Sequence, residues 1–277
     1  MRRNILTVAS LATLFGFIVP ATAAAQTDYY NTDLGRPVVI EDAYPTERYA
    51  FELQLAPVRL ERSGGGVYTW GIEPEIAYGI LPRTHVEVGA PLAFIDAGGD
   101  AQEFGLAGID LSVLHNLNTE TAGLPAFGIA AGVLLPVGEF APDRAYPSAK
   151  AIATRTFGFA RFHVNGLYTF GSEPDRELDP GEEAVETSRW LAGVAVDKTF
   201  PLRAMLLIGN VYARQPILED EDLEWNAGAG LRYQLSPRLA IDGGAGRRLT
   251  GEDQAWFLTF GAAYAFAIRS LIPAPLR

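Results

Sequence analysis

Two stretches of the chain alternate so regularly that only a strand fits them. From Tyr68 to Ile80, the residues Tyr68, Trp70, Ile72, Pro74, Ile76, Tyr78 and Ile80 take every second position. Between them stand Thr69, Gly71, Glu73, Glu75, Ala77 and Gly79. From Leu223 to Leu235, the residues Leu223, Trp225, Ala227, Ala229, Leu231, Tyr233 and Leu235 alternate with Glu224, Asn226, Gly228, Gly230, Arg232 and Gln234. Successive strand residues point to opposite faces, so each stretch has one apolar face and one small or polar face. A helical period of 3.6 residues fits neither. Ten further segments read as strands, starting near Tyr49, His85, Gln102, Pro125, Ala149, Arg161, Arg189, Ala204, Leu239 and Gln254. Each runs for roughly ten residues, the length of a tilted strand that crosses a bilayer.

The connections alternate as well. Leu81-Pro82-Arg83-Thr84, Pro201-Leu202-Arg203 and Ser236-Pro237-Arg238-Leu239 are short and similar. Gly171 to Thr187, Gln215 to Glu224, Gly138 to Ser148 and Ile95 to Glu103 are longer and polar, the first two strongly acidic. An even strand count with alternating short and long turns predicts an all-β fold, an up-and-down antiparallel transmembrane β-barrel of about twelve strands. Aromatic residues strengthen the prediction. Tyr49, Tyr68, Trp70, Tyr78, Trp190, Phe200, Trp225, Tyr233, Trp256, Tyr264 and Phe266 lie mostly near strand ends on the apolar face, as interfacial girdles do. A soluble barrel or sandwich would also alternate, but its outer face would be rich in Lys, Thr and Glu. Here the polar face carries mainly Gly, Ala and a few charges, which suits a crowded lumen.

The first 25 residues stand apart. Arg2 and Arg3 precede an apolar run from Ile5 to Val19, and Ala23-Ala24-Ala25 forms a cleavage site before Gln26. This is the pattern of a cleaved secretory signal peptide; the run is short for a membrane anchor. An exported chain without a spanning helix enters a membrane only as a closed barrel. The domain reading is therefore a signal peptide over 1–25, a periplasmic extension or plug over 26–48, a barrel over 49–268 and a tail over 269–277.

Composition narrows the chemistry. The chain has 277 residues, a formal net charge of −11, no Cys and only three His. Disulfides and thiolate sites are excluded, and His85, His115 and His163 are too scattered for a multi-histidine metal site. The acidic balance argues against nucleic acid. No cofactor, metal or catalytic set is expected. Ser63-Gly64-Gly65-Gly66 and Gly243-Gly244-Ala245-Gly246 lack the strand–helix context of a dinucleotide loop. A barrel lipase needs Ser and His adjacent on one face. His115 lies three residues from Ser112, on the opposite face, and His163 has no serine on its own. The protein is accordingly read as a non-enzyme.

The polar face holds the better candidates. Glu73, Glu75, Asp110, Arg161, Asn226, Arg232, Asp242 and Arg248 are the pore-lining candidates, because lumenal charges set channel selectivity. The alternative is that such charges pair across strands and fill a narrow barrel. Arg232 and Asp242 are expected to pair in this way, being equidistant from Pro237 across a three-residue loop.

Gly35-Arg36-Pro37-Val38-Val39-Ile40-Glu41-Asp42-Ala43, Glu52-Leu53, Gly108-Ile109-Asp110-Leu111, Leu124-Pro125-Ala126 and Leu135-Pro136-Val137-Gly138 resemble the exported proteins of the MetA-pathway-of-phenol-degradation family. The resemblance spans most of residues 35 to 268. It implies an outer-membrane barrel that transports small molecules, aromatic or hydrophobic ones among them, and it carries over no binding residues. One departure is that Phe266, the terminal barrel aromatic, is followed by further residues to Arg277.

The expected function is a passive channel in the outer membrane of a Gram-negative cell. Its expected partners are outer-membrane lipid, a small-molecule solute and the barrel assembly machinery, in an oligomeric state that periodicity does not fix. A structural or surface-interaction barrel with a filled lumen is the alternative, and an outer-membrane lipid hydrolase the third reading.

Overall fold

The computed structural model describes residues 36–62, 68–96, 102–171, 188–216, 222–250 and 255–272. The stretch 1–25 expected to be a signal peptide, residues 26–35 of the expected extension, the Ser63-Gly64-Gly65-Gly66 run, most of the acidic connection from Gly171 to Thr187 and the last residues of the tail lie outside them.

Twelve antiparallel strands close into a barrel. They are β1 (Ala50–Arg62), β2 (Tyr68–Leu81), β3 (Thr84–Gly89, continuing as Leu92–Asp96) and β4 (Gln102–Leu106, continuing as Ile109–Asn116). Then follow β5 (Ala126–Leu135), β6 (Tyr146–Thr156), β7 (Arg161–Thr169) and β8 (Arg189–Thr199). The last four are β9 (Met205–Arg214), β10 (Glu224–Ser236), β11 (Leu239–Arg248) and β12 (Trp256–Ala267). Each strand pairs with its neighbours in sequence, and β1 pairs with both β2 and β12. Closure leaves no edge with unpaired amides, which a bilayer core demands. At the seam Phe51 stacks on Tyr78 at 4.4 Å and on Phe266 at 5.2 Å, so the first, second and last strands are joined by rings as well as by backbone.

The alternation of the sequence is the inside and outside of the barrel. Tyr68, Trp70, Ile76 and Ile80 of β2 are exposed on the outer surface, as are Trp225 and Leu231 of β10. Their neighbours turn inward. A soluble protein would bury such a band; here it forms the lipid-facing surface.

Two irregularities set which residues face the lumen. Pro91 has no amide to donate, and it divides β3 while leaving its register with β2 intact, from Glu75↔Gly89 to Ile72↔Leu92. On the other side of β3, Leu92 faces Leu106 but Gly89 faces Asp110, so β4 holds one extra residue. That bulge sits at Ala107-Gly108, where Gly108 takes φ 133°, a conformation open to glycine. Without it, Asp110 would point into lipid.

Residues 36–48 precede β1 and lie inside the barrel, across its short-turn half. Arg36, Ile40, Asp42 and Ala43 are fully buried or nearly so. The core of this part of the protein is the packing of this segment on the barrel wall. Val38 and Ile40 sit against Ala195, Ile208 and Tyr212, and Ala43 sits against Leu114, Ala126 and Ile152.

Candidate functional site

The lumen is divided by the inner segment into a packed side and an open one. On the packed side, Asp242 of β11 accepts hydrogen bonds from Arg36 Nε at 3.2 Å and Nη2 at 2.7 Å. Thr259 of β12 donates to the Pro37 carbonyl at 3.0 Å. Further along, Lys150 of β6 meets Glu41 at 2.6 Å. Asn165 of β7 holds both the amide and the carbonyl of Glu41. Asn116 of β4 donates to the Ala43 carbonyl, and His85 of β3 accepts from the Thr46 amide.

The middle of the segment rests on a relay through three adjacent strands. Thr154 of β6 accepts the Ala43 amide at 3.0 Å, and its oxygen lies 3.0 Å from His163 Nδ1 on β7. His163 Nε2 is 2.8 Å from Asp197 of β8, which also accepts from Arg161. Arg161 reaches on to Asp42 at 3.7 Å. A hydroxyl, an imidazole and a carboxylate in line are the parts of a hydrolase, but this hydroxyl is fully buried and occupied by the Ala43 amide. The strand that carries His163 holds no serine. The threonine and the aspartate that flank it come from neighbouring strands, which spacing along one strand does not reveal.

The open side is a cavity of about 400 Å³ between the segment and the walls of β2 to β8. Glu73 and Glu75 of β2, Glu87 of β3 and Asp110 of β4 form one flank. Leu114, Ala130, Leu134 and Leu167 supply apolar surface, and Lys150 and Arg189 are the cations in the lining. The connection between β5 and β6 caps the cavity with Pro142. In that connection the Arg144 guanidinium bonds to Asp143 and holds its exposed carboxyl below the usual range.

The eight candidates therefore separate. Glu73, Glu75 and Asp110 line the cavity, while Arg161, Arg232, Asp242, Arg248 and Asn226 stand outside its lining. Arg161 and Asp242 hold the inner segment. Arg248 lies 3.6 Å from Glu224 and 3.7 Å from Glu61 near the opposite end of the barrel, and buried Asn226 faces it across the β10–β11 ladder. Arg232 and Asp242 do face each other, but the Asp242 carboxylate is taken by Arg36, and Arg232 approaches Glu52 at 3.6 Å. The turn differs from the expected three-residue loop: Ser236 pairs with Leu239, with a register shift beside Gln234. Nothing in the hairpin's own sequence announces a third charge arriving from Arg36.

The filled side leaves no room at Gly230 on the lumenal face of β10. A Cβ there would stand 2.6 Å from Pro37 Cβ and 2.7 Å from the Gly243 carbonyl oxygen. Gly230→Ala should therefore cost about 1–3 kcal/mol as an overpacked site. Denaturant unfolding of the reconstituted protein checks this.

A closed barrel with an apolar exterior, a charged interior and a partly filled lumen has the architecture of a transmembrane β-barrel. The chain belongs to the family described as "Putative MetA-pathway of phenol degradation", which matches residues 64–266. It is similar in structure to an outer membrane channel from Pseudomonas putida F1, with a TM-score of 0.58 at 13% identity, over 78% of this chain and 94% of that one. It is also similar to the NanC porin, with a TM-score of 0.51 at 10% identity, over 76% of this chain and 98% of that one. At these identities the likeness is one of fold. No curated protein matches the chain.

Proposed function

We propose that this protein is a porin-like passive channel for small molecules in the outer membrane of a Gram-negative cell. In this reading it is exported through the cleaved signal over 1–25, inserted by the barrel assembly machinery and surrounded by outer-membrane lipid. The observation that carries the reading is the cavity inside a closed barrel whose outside is apolar. Of the extension over 26–48, residues 36–48 act as a plug that narrows the lumen from the short-turn end. The segment's buried contacts support that role. They also favour a second reading, a filled barrel that serves structure or surface interaction. Liposome swelling with a panel of neutral, charged and aromatic solutes separates the two: a channel admits some of them, a filled barrel none.

Glu73, Glu75 and Asp110 are the carboxylates of the solute path in this proposal. A negative wall raises the local concentration of cations and repels anions. The wild-type pore should be weakly cation-selective. The double variant Glu73→Gln, Glu75→Gln should lose part of that preference while the barrel still folds, since neither side chain faces lipid. Reversal potential under a salt gradient reads the change. An anion-selective wild type would remove these residues from the path.

A further inference from the structure

The cavity has two unlike sides, and they point to a kind of ligand. On one flank, Gly89 of β3 stands between Glu75 and Asp110, the Cα partner of both. The missing side chain leaves the space between them open: a Cβ at Gly89 would lie 3.2 Å from Glu75 Cγ and 3.6 Å from Asp110 Cβ. Glu73 and Glu87 extend this flank above and below. Among the described residues, the side chains of Glu73 and Asp110 make no hydrogen bond and no salt bridge, whereas Glu75 and Glu87 have other interactions. The cations of the lumen each meet another carboxylate: Lys150 meets Glu41 at 2.6 Å while its charge also reaches Asp110, Arg161 meets Asp197 at 2.8 Å, and Arg232 and Arg248 approach Glu52 and Glu224. Arg189 lines the same cavity from β8, at the far end of the row that runs from Glu87 through Ser112, Gly132, Ser148 and Thr169.

The other side is apolar. Leu114, Ala130, Leu134 and Leu167 lie along it, and Tyr44 and Tyr146 are in the same lining. The volume, about 400 Å³, is at the small end of ligand-binding cavities. Charged groups away from bulk water need a counter-charge, and apolar surface gains by covering apolar surface. A single molecule that does both carries a positive group on a compact apolar or aromatic body.

We propose that this cavity is a binding site for a small organic cation, a protonated primary amine on an aromatic or aliphatic body, with the ammonium between Glu75 and Asp110 beside Glu73. The inference rests on the channel reading, since the ligand reaches the site through the lumen. It deepens that reading by naming a class of solute. Neutral molecules of the same shape lack the charged contact, and carboxylates of the same shape meet the acidic flank.

Binding and conduction are measured separately, so the two readings fail separately. The probes are phenethylamine, 2-phenylethanol and 3-phenylpropionate, tested by equilibrium dialysis against the full-length protein in detergent at neutral pH. The amine should bind roughly tenfold more tightly than the alcohol, and the carboxylate more weakly than both. Glu75→Gln with Asp110→Asn should bring the amine down to the level of the alcohol. Glu73→Gln alone should weaken the amine and leave the alcohol unchanged. Heat-modifiable mobility on gels reports that each variant is folded. Equal binding of amine and alcohol to the wild type, or an amine preference that survives the double variant, overturns the proposal. Amine binding by a protein that conducts nothing in planar bilayers keeps the site and overturns the channel; conduction with no amine preference does the reverse.

Discussion

Leu231→Arg destabilises the barrel by about 2–4 kcal/mol, the cost of placing a guanidinium on the lipid face near mid-membrane. Leu231 lies in the middle of β10, points outward and is exposed on the outer surface. The contrast that makes the test specific is Gly166→Ala on β7, where a Cβ meets nothing within 4 Å and little change is expected. Urea unfolding in liposomes of both variants reads the difference. Equal stability would mean that Leu231 does not face lipid and that the inside and outside of the barrel have been exchanged.

Asp242→Ala acts on the inner segment. Arg36 and Asp242 are both almost wholly buried, so the substitution leaves a guanidinium inside the barrel without the carboxylate it grips at 2.7 Å. Removing one partner of a buried pair typically costs about 3–5 kcal/mol. Two responses are available to this protein. The barrel can bear the cost, or the segment can withdraw and carry Arg36 to water. The second is the easier, because only one end of the segment must leave while β11 stays paired on both sides. The expected result is a barrel that remains folded, a segment that becomes sensitive to protease around residues 36–46, and a larger conductance. Arg36→Ala should share the effect, and the double variant should lose little more than either alone, as coupled partners do. Additive losses would show that the two residues act independently.

How much of this was legible in the chain follows from the range of each signal. Strand alternation is local, and the starts read from it near Gln102, Arg161, Arg189 and Leu239 are the observed starts. The strand expected near Ala149 begins earlier, at Tyr146, because the alternation there is poor and the backbone pairing with β5 extends it. Nothing in the single strand read from Gln102 marks the bulge at Ala107-Gly108, because the reversal of faces that turns Asp110 inward is a backbone event. The facing of Arg232 and Asp242 follows from distance to the turn, which sequence carries. Their partners do not, since Arg36 is brought to Asp242 by the path of a segment that has no periodicity. The same limit explains Gly230 and the Thr154–His163–Asp197 relay. Each joins residues far apart in sequence, through neighbouring strands or through the segment lying on them.

The central claim is that solute and ions pass through this barrel. Single-channel recording of the purified full-length protein in planar lipid bilayers tests it most directly. The account predicts discrete conductance steps, small in the wild type because the segment fills part of the lumen, and larger in Asp242→Ala. A folded protein that inserts and yet gives no steps above the bare bilayer, in the wild type and in Asp242→Ala alike, would contradict it.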